Sequence, residues 1–455
     1  MGSTDTIFAL ATPPGRSGVA IMRVSGPHVQ KSYQTLTGRT DLPEPRQTYL
    51  YKLWTAQGSV LDEAVIIYFR APNSYTGEDV VEYHLHGSKA VITELTEALS
   101  DMAHHRMAEP GEFTRHAYEN GRMDLTEAEA VIDLIDAETS LQRDQALAQM
   151  GGALRDLYEG WAERLTRSLA HLEADLDFPD EDLPEGVAAE ITPQLIELKE
   201  EFSSHLNDNR RGERLRDGLK IAVIGAPNVG KSSLINTLAQ REVAITSDLA
   251  GTTRDVLEVH LNLGGYPVIL YDTAGLKPEL LNESVSRETL SAHDKIESEG
   301  IRRALNVAQT SDLKLLMFDA TAPADNATLA LADATSLLLY NKTDQLDAET
   351  PGSKTQHTFY MSVTDQSGLN TFLQGLQDKV ADLIGTQTGP TLTRERHRAA
   401  VREALDALTR AETAILPELM AEDVRLAVRA LGRITGRVDV EDLLDIIFSE
   451  FCIGK

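Results

Sequence analysis

Apolar and polar positions follow two different spacings along this chain, and the change between them divides it. In the first 120 residues the apolar runs are short and strand-like, at 18–24, 62–69 and 80–86. β-Branched and aromatic residues dominate them. Turn signals separate them at Thr12-Pro13-Pro14-Gly15, Ala71-Pro72-Asn73-Ser74 and Glu109-Pro110-Gly111. One helix is predicted over 91–99. From Asp124 the spacing turns helical: Leu125, Ala128, Val131, Ile132 and Ile135 recur among acids and alanines. Helical spacing continues past Trp161 and resumes over 191–206. The polar, glycine-flanked stretch 210–218 reads as a linker. Strand-like and helix-like segments then alternate over 219–385, and helical spacing returns after Thr388-Gly389-Pro390.

This pattern predicts a multidomain α+β chain. An N-terminal α+β domain occupies 1–120 and a helical bundle begins over 121–214. An α/β nucleotide domain is inserted over 215–385, and the bundle is completed over 386–455. Insertion is tolerated because domain ends often lie close together. At 455 residues the chain is long enough for about three domains. The net charge of −28 excludes nucleic-acid binding through the overall field, so any such contact needs a local basic patch. One cysteine, Cys452, excludes an internal disulfide and suits a reducing cytosol. No apolar run reaches the ~18 residues of a membrane span, and the N-terminus lacks a basic-then-apolar secretory signal. The expected location is cytoplasmic.

Within the inserted domain, the apolar run 219–224 is followed by Gly225-Ala226-Pro227-Asn228-Val229-Gly230-Lys231-Ser232 and then by a helix-like segment at 233–238. Strand, glycine loop and helix make a phosphate-binding loop. Glycines let successive N–H groups of Asn228–Ser233 turn onto phosphate oxygens, and the helix N-terminus adds a favourable dipole. Lys231 supplies charge to the terminal phosphates, and Ser232 offers Mg²⁺ a hydroxyl. The run 268–271 ends in Asp272-Thr273-Ala274-Gly275, where Asp272 suits Mg²⁺ through water and Gly275 can donate its N–H to the γ-phosphate. Gly251-Thr252-Thr253-Arg254-Asp255 offers Thr253 as a second Mg²⁺ ligand. After the run 337–340, Asn341-Lys342-Thr343-Asp344 selects guanine: Asp344 can accept from both N1–H and the exocyclic amine, a donor pair adenine lacks. Ser362 and Val363 fit a further loop whose backbone touches the base.

Signalling GTPases place a glutamine after the D-x-x-G motif to orient the attacking water. Here Leu276 occupies that position and cannot hydrogen-bond a water. Another group must orient the water, with Asp294, Glu297 and Glu299 as acidic candidates. Another source of positive charge is also needed, and Asn228 is a spare oxygen donor suited to a monovalent cation.

Together with these motifs, Phe451-Cys452-Ile453-Gly454-Lys455, Ala11–Arg16, Tyr75-Thr76-Gly77-Glu78-Asp79 and Pro110-Gly111-Glu112-Phe113-Thr114 resemble, over the whole length, the MnmE (TrmE) family of bacterial tRNA-modification GTPases. The resemblance implies a homodimer formed through an N-terminal domain that binds formyl-tetrahydrofolate as one-carbon source. It implies a heterotetramer with an FAD- and NADH-dependent partner, MnmG (GidA), in which FAD sits on the partner. The pair places an aminomethyl or carboxymethylaminomethyl group on carbon 5 of the wobble uridine of certain tRNAs. It also implies that GTP hydrolysis is potassium-stimulated and closes the G domains across the dimer. Matched position by position, folate contacts are Arg23, Glu82, Arg122 (commonly lysine in the family) and Lys455. Potassium ligands are Asn228, Ser247, Leu249 and Thr252. Mg²⁺ ligands are Ser232 and Thr253, and the water-orienting acid is Glu297. The segment 277–293 is longer than this switch usually is.

Other features carry two readings each. Cys452 is either a nucleophile for uridine or a small residue packed at the folate site, and packing is favoured because no base is assignable to it. Arg425, Arg429, Arg433 and Arg437 recur every fourth residue. They form either a tRNA-binding stripe or a helical face paired to acids. His84 and His86 share a strand face, but without a third ligand they read as structural. A second functional class, a GTP-dependent ribosome-assembly switch without covalent chemistry, shares the phosphate-loop motifs. The non-basic first 120 residues argue against it.

Overall fold

The computed structural model describes residues 5–177, 187–241, 258–272, 306–346, 357–385, 389–438 and 440–454. The chain divides into two compact units. One comprises Met1–Ile132, Gln149–Leu195 and Asp406–Lys455; the other comprises Asp133–Ala148 and Ile196–Leu405.

The first unit is built on a six-stranded sheet of β1 (Thr6–Leu10), β2 (Ser17–Ser25), β3 (Thr48–Trp54), β4 (Val60–Phe69), β5 (Val80–Gly87) and β6 (His105–Met107). Its order is β3-β4-β5-β2-β1-β6, antiparallel except for β1 against β6. Alternation sets its faces: Ala20, Met22 and Val24 point into the core from β2, and Val81, Tyr83 and Leu85 from β5. α1 (Val29–Thr37) and α2 (Lys89–Ser100) cover that face with Tyr33, Leu36, Leu95 and Leu99. The strands expected at 18–24, 62–69 and 80–86 and the helix at 91–99 are all present. β1, β3 and β6 carry no distinctive periodicity. Two of them are five and three residues long, too short for alternation to stand out.

α3 (Glu112–Glu119) and α4 (Leu125–Ile135) follow. Leu125, Ala128 and Ile132 pack against Leu444, Ile447 and Phe448 of the penultimate segment. α5 (Ser140–Met150), α6 (Ala153–Asp177) and α7 (Val187–Leu206) complete the run of helices before residue 210. The stretch 210–218, expected as a linker, is instead α8 (Arg211–Asp217). Glu213, Arg214 and Arg216 are drawn in by ion pairs to Arg398, Asp312 and Asp133. A Cβ at Gly212 would stand 2.2 Å from the Leu392 carbonyl oxygen, so the chain passes at a distance only glycine allows.

The second unit carries β7 (Leu219–Gly225), α9 (Lys231–Ala239), β8 (Glu258–Leu263), β9 (Tyr266–Asp272), β10 (Leu313–Asp319), α10 (Asn326–Leu329), β11 (Leu337–Asn341), β12 (Thr358–Tyr360) and α11 (Leu369–Ile384). The sheet order is β12-β11-β10-β7-β9-β8, parallel except for β8 against β9. β7 is buried on both faces: Ile221 and Val223 pack with Leu234, Leu238 and Phe372, and Ala222 and Ile224 with Leu316 and Phe318. That is why its sequence is a continuous apolar run rather than an alternating one. β7 lies between β9 and β10, where the order of strands reverses, and ligands of such sheets bind beyond the carboxyl ends of the strands there.

α12 (Glu395–Thr413), α13 (Pro417–Thr435) and α14 (Glu441–Ser449) end the chain. In the first unit α13 packs along α6, burying Met420, Val424, Ala427, Leu431 and Ile434 at helical spacing.

Candidate functional site

β7 delivers the phosphate loop, and the loop's backbone is shaped for its task. Asn228 and Gly230 have positive φ, 63° and 102°. At Gly230 a Cβ would also lie 2.4 Å from Asn341 Nδ2, so both conformation and space demand glycine. Lys231 begins α9, is 7% exposed, and donates from Nζ to the carbonyls of Gly225 at 3.0 Å and Ala226 at 3.1 Å. Burial lowers its pKa, with Asp272 opposing that shift. Ser232 Oγ donates to Asp272 Oδ2 at 2.6 Å. A hydroxyl and a carboxylate set side by side at the end of a phosphate loop are the hard oxygen donors that Mg²⁺ takes. Asn228 and Ser233 are exposed, whereas Val229 is buried.

The residues expected to meet the base are tied to this loop through one side chain. Asn341, 3% exposed, donates from Nδ2 to the Val229 carbonyl at 2.8 Å and accepts from the Val363 N–H at 3.0 Å. Ser362 is fully buried. Its Oγ accepts from the N–H groups of Thr364 and Asp365, closing a local turn. Lys342, at φ 69°, donates to Asp319 Oδ2 at 2.7 Å. Burial works against the Asp319 charge, but hydrogen bonds from Lys342 and Thr321 outweigh it and hold this carboxyl below the usual range. Asp344 is exposed, with its carboxylate open to a base. The structure therefore joins Val229, Gly230, Lys231, Ser232, Asp272, Asn341, Lys342, Ser362 and Val363 in one site. Ser247, Leu249, Thr252, Thr253, Thr273, Ala274, Gly275, Leu276, Glu297, the 277–293 segment and Lys455 lie outside the described residues.

In the first unit, Arg23 and Glu82 are register partners on β2 and β5, with Arg23 Nε donating to Glu82 Oε1 at 2.9 Å. The Arg23 guanidinium stands 5.3 Å from the ring centre of Tyr75 and 5.6 Å from that of Phe113, a cation–π arrangement. Its Nη1 reaches the Gly454 carbonyl at 3.5 Å. The chain end is held there by a bridge between Pro110 and Ile453. Arg122 is exposed and runs past Gly77, two residues from Tyr75. Tyr75, Phe113 and Gly454 were not foreseen as site residues; only the motifs that contain them pointed there.

Two further expectations resolve, and the contacts of His84 and His86 follow them. Cys452 is exposed, so the favoured packed reading is corrected: Phe451 and Gly454 turn inward at this segment and Cys452 turns outward. The arginine stripe is engaged with acids. Arg425 pairs with Glu173 and Glu422, Arg437 pairs with Glu159, and Arg429 and Arg433 also have partners. His86 Nδ1 lies 2.8 Å from Asp62 and His84 Nε2 lies 3.5 Å from Glu82. Among the described residues no group of three or more His, Cys, Asp or Glu is placed to hold a metal. None of their helices is long and apolar enough to cross a membrane.

Comparison with known proteins adds the following. Residues 125–452 match the family model described as the MnmE helical domain, and residues 6–122 match that described as the GTP-binding protein TrmE N-terminus. The chain is 48% identical over 455 residues to the tRNA modification GTPase MnmE of Paramagnetospirillum magneticum, covering 99% of this chain and 100% of that one. It is also 48% identical over 469 residues to the tRNA modification GTPase MnmE of Rhodospirillum rubrum, covering all of both chains. Among solved structures, Era of Aquifex aeolicus bound to GDP.AlF4- is similar at 21% identity and a TM-score of 0.28, over 44% of this chain and 69% of that one.

Proposed function

The chain belongs to the MnmE (TrmE) family of tRNA-modification GTPases, and from that premise we propose how its residues divide the work. It is a GTP hydrolase that acts in tRNA modification. The observation that carries the site assignment is the Asn341 side chain, which bonds to both Val229 and Val363. Through it, a guanine reader and a phosphate cradle are held at a fixed separation, as a nucleotide requires.

In this reading the backbone of Asn228–Ser233 receives the phosphates and Lys231 offsets their charge. Thr273, Ala274 and Gly275 border the γ-phosphate. Ser232 and Thr253, with Asp272 through water, hold Mg²⁺, which when bound neutralises phosphate charge. Asp344 accepts from guanine, and Lys342, Ser362 and Val363 flank the base. Asn228, Ser247, Leu249 and Thr252 hold potassium, which replaces the missing arginine finger. Glu297 orients the attacking water, the task closed to Leu276. Arg23 and Glu82 of the N-terminal domain, with Arg122 and Lys455, hold formyl-tetrahydrofolate. The protein works in the cytoplasm as a homodimer with an MnmG-type FAD partner on the wobble uridine of tRNA.

Two measurements test this. GTP turnover is expected to be faster in KCl than in NaCl at equal ionic strength, and equal rates overturn the potassium assignment. Purified full-length protein is expected to bind formyl-tetrahydrofolate saturably, and absence of binding overturns the folate assignment.

A further inference from the structure

We propose that His116, clamped between Glu78 and Glu112, is a positioning residue for the one-carbon site, fixing the 74–79 loop that places Tyr75 over Arg23 and Gly77 against Arg122. The proposal rests on the reading of Arg23, Glu82 and Arg122 as folate contacts.

His116 lies on α3 and is 6% exposed. Its Nδ1 is 3.2 Å from Glu78 Oε2 and its Nε2 is 3.8 Å from Glu112 Oε1. Glu112 is anchored in turn by Arg106 and by the Glu109 N–H. The Glu78 oxygen facing His116 also accepts from Ser25 Oγ at 2.8 Å, and Ser25 shares a strand face with Arg23, two residues away. Glu78 is thus the point where α3 and β2 grip the loop. The remaining loop contacts follow from that grip. Ser25 Oγ lies 2.7 Å from Thr76 Oγ1. Asn120 Nδ2 donates to the Thr76 carbonyl at 2.8 Å, and Tyr75 Oη lies 2.8 Å from Thr114 Oγ1 on α3. A Cβ at Gly77 would come within 3.2 Å of Arg122 Cγ. Two of the four folate candidates therefore touch this loop.

The charge around the ring decides its state. Glu78 faces it from the loop, Glu112, Arg115 and Glu119 from α3, Arg106 from β6, Glu109 from the turn before α3, and Asp445 from α14. All but Glu78 line, together with His116, a cavity of about 490 Å³ that gives the ring access to solvent. Acids outnumber cations there. Burial disfavours the charged ring, but the hydrogen bond to Glu78 and the charges of Glu78, Glu112 and Glu119 outweigh it, and the pKa is raised. Loss of the proton leaves a neutral ring that still donates from Nδ1 to Glu78 but no longer carries the positive charge that strengthens that bond and faces Glu112, and the grip on the loop weakens.

The test is calorimetric titration of full-length protein with formyl-tetrahydrofolate between pH 6 and 8.5, a range in which no arginine titrates. For the native chain the dissociation constant is expected to rise about tenfold across the range, as the bond to Glu78 loses its positive donor. His116→Arg, with a permanent charge, is expected to bind tightly at every pH. His116→Gln is expected to bind weakly at every pH while retaining GTP turnover. A native affinity independent of pH, or a glutamine variant that keeps the native profile, overturns the positioning role and leaves the folate reading standing. Absence of saturable binding by the native chain at any pH overturns both. Should the glutamine variant not fold, the native and arginine profiles still decide the matter.

Discussion

Asn341 and Val229 are 112 residues apart in sequence, yet the amide of one donates to the carbonyl of the other at 2.8 Å. The same amide accepts from Val363. The carboxyl end of β11 is thereby locked to the loop that follows β7, two strands away in the sheet. Removing the amide leaves the buried Val229 carbonyl unpaired, at about 1–3 kcal/mol, and the half-buried Val363 N–H without its partner. Asn341→Ala is expected to weaken GDP and GTP binding roughly tenfold to a hundredfold with little change in fold. Titration with a fluorescent guanine nucleotide measures this; unchanged affinity contradicts the bridging role.

In the proposed assignment the exposed carboxylate of Asp344 reads guanine by accepting from its two donors. An asparagine there offers a donor in place of an acceptor, which matches the 2-oxo group of xanthine. Asp344→Asn is expected to lose GTP affinity by on the order of a hundredfold or more and to gain XTP binding. Competition between the two nucleotides for the variant is the measurement, and retention of guanine preference contradicts the assignment.

Arg398 is 4% exposed and bonds to Glu213 at 2.9 Å, Asp208 at 2.7 Å and the Leu206 carbonyl at 2.8 Å. Removing one partner of such a set strands the others. Arg398→Met is expected to destabilise the second unit by about 3–5 kcal/mol, read from urea unfolding. A change of less than about 1 kcal/mol contradicts the view that α8 is held by these pairs.

His205 has its pKa lowered to about 4, chiefly by burial, with Asp208 opposing and Arg398 reinforcing the shift. The folded value lies below the unfolded value of about 6.5. Stability from this group is therefore complete above pH 6.5 and is lost as pH falls toward 4, because only the unfolded chain takes up the proton. The slope is at most about 1.4 kcal/mol per pH unit. Urea unfolding between pH 7.5 and 4.5 should show it, and His205→Gln should flatten that component. An equal slope in both proteins contradicts the assignment.

The sequence by itself determined the nucleotide chemistry. A strand buried on both faces, a glycine loop and a helix start must be contiguous to work, so Leu219 through Leu238 is readable in one dimension. The same holds for Asn341–Asp344, which follows its strand directly. Tertiary structure alone decided what depends on distant partners. The run at 210–218 looks like a linker because its residues are polar, but Glu213, Arg214 and Arg216 find their counter-charges at Arg398, Asp312 and Asp133. Arg425 and Arg437 look like parts of a stripe for phosphates until α6 supplies Glu173 and Glu159. His116 carries no signal in its own neighbourhood. Its meaning comes from Glu78, 38 residues earlier in the chain, and only folding sets a charge across from a charge.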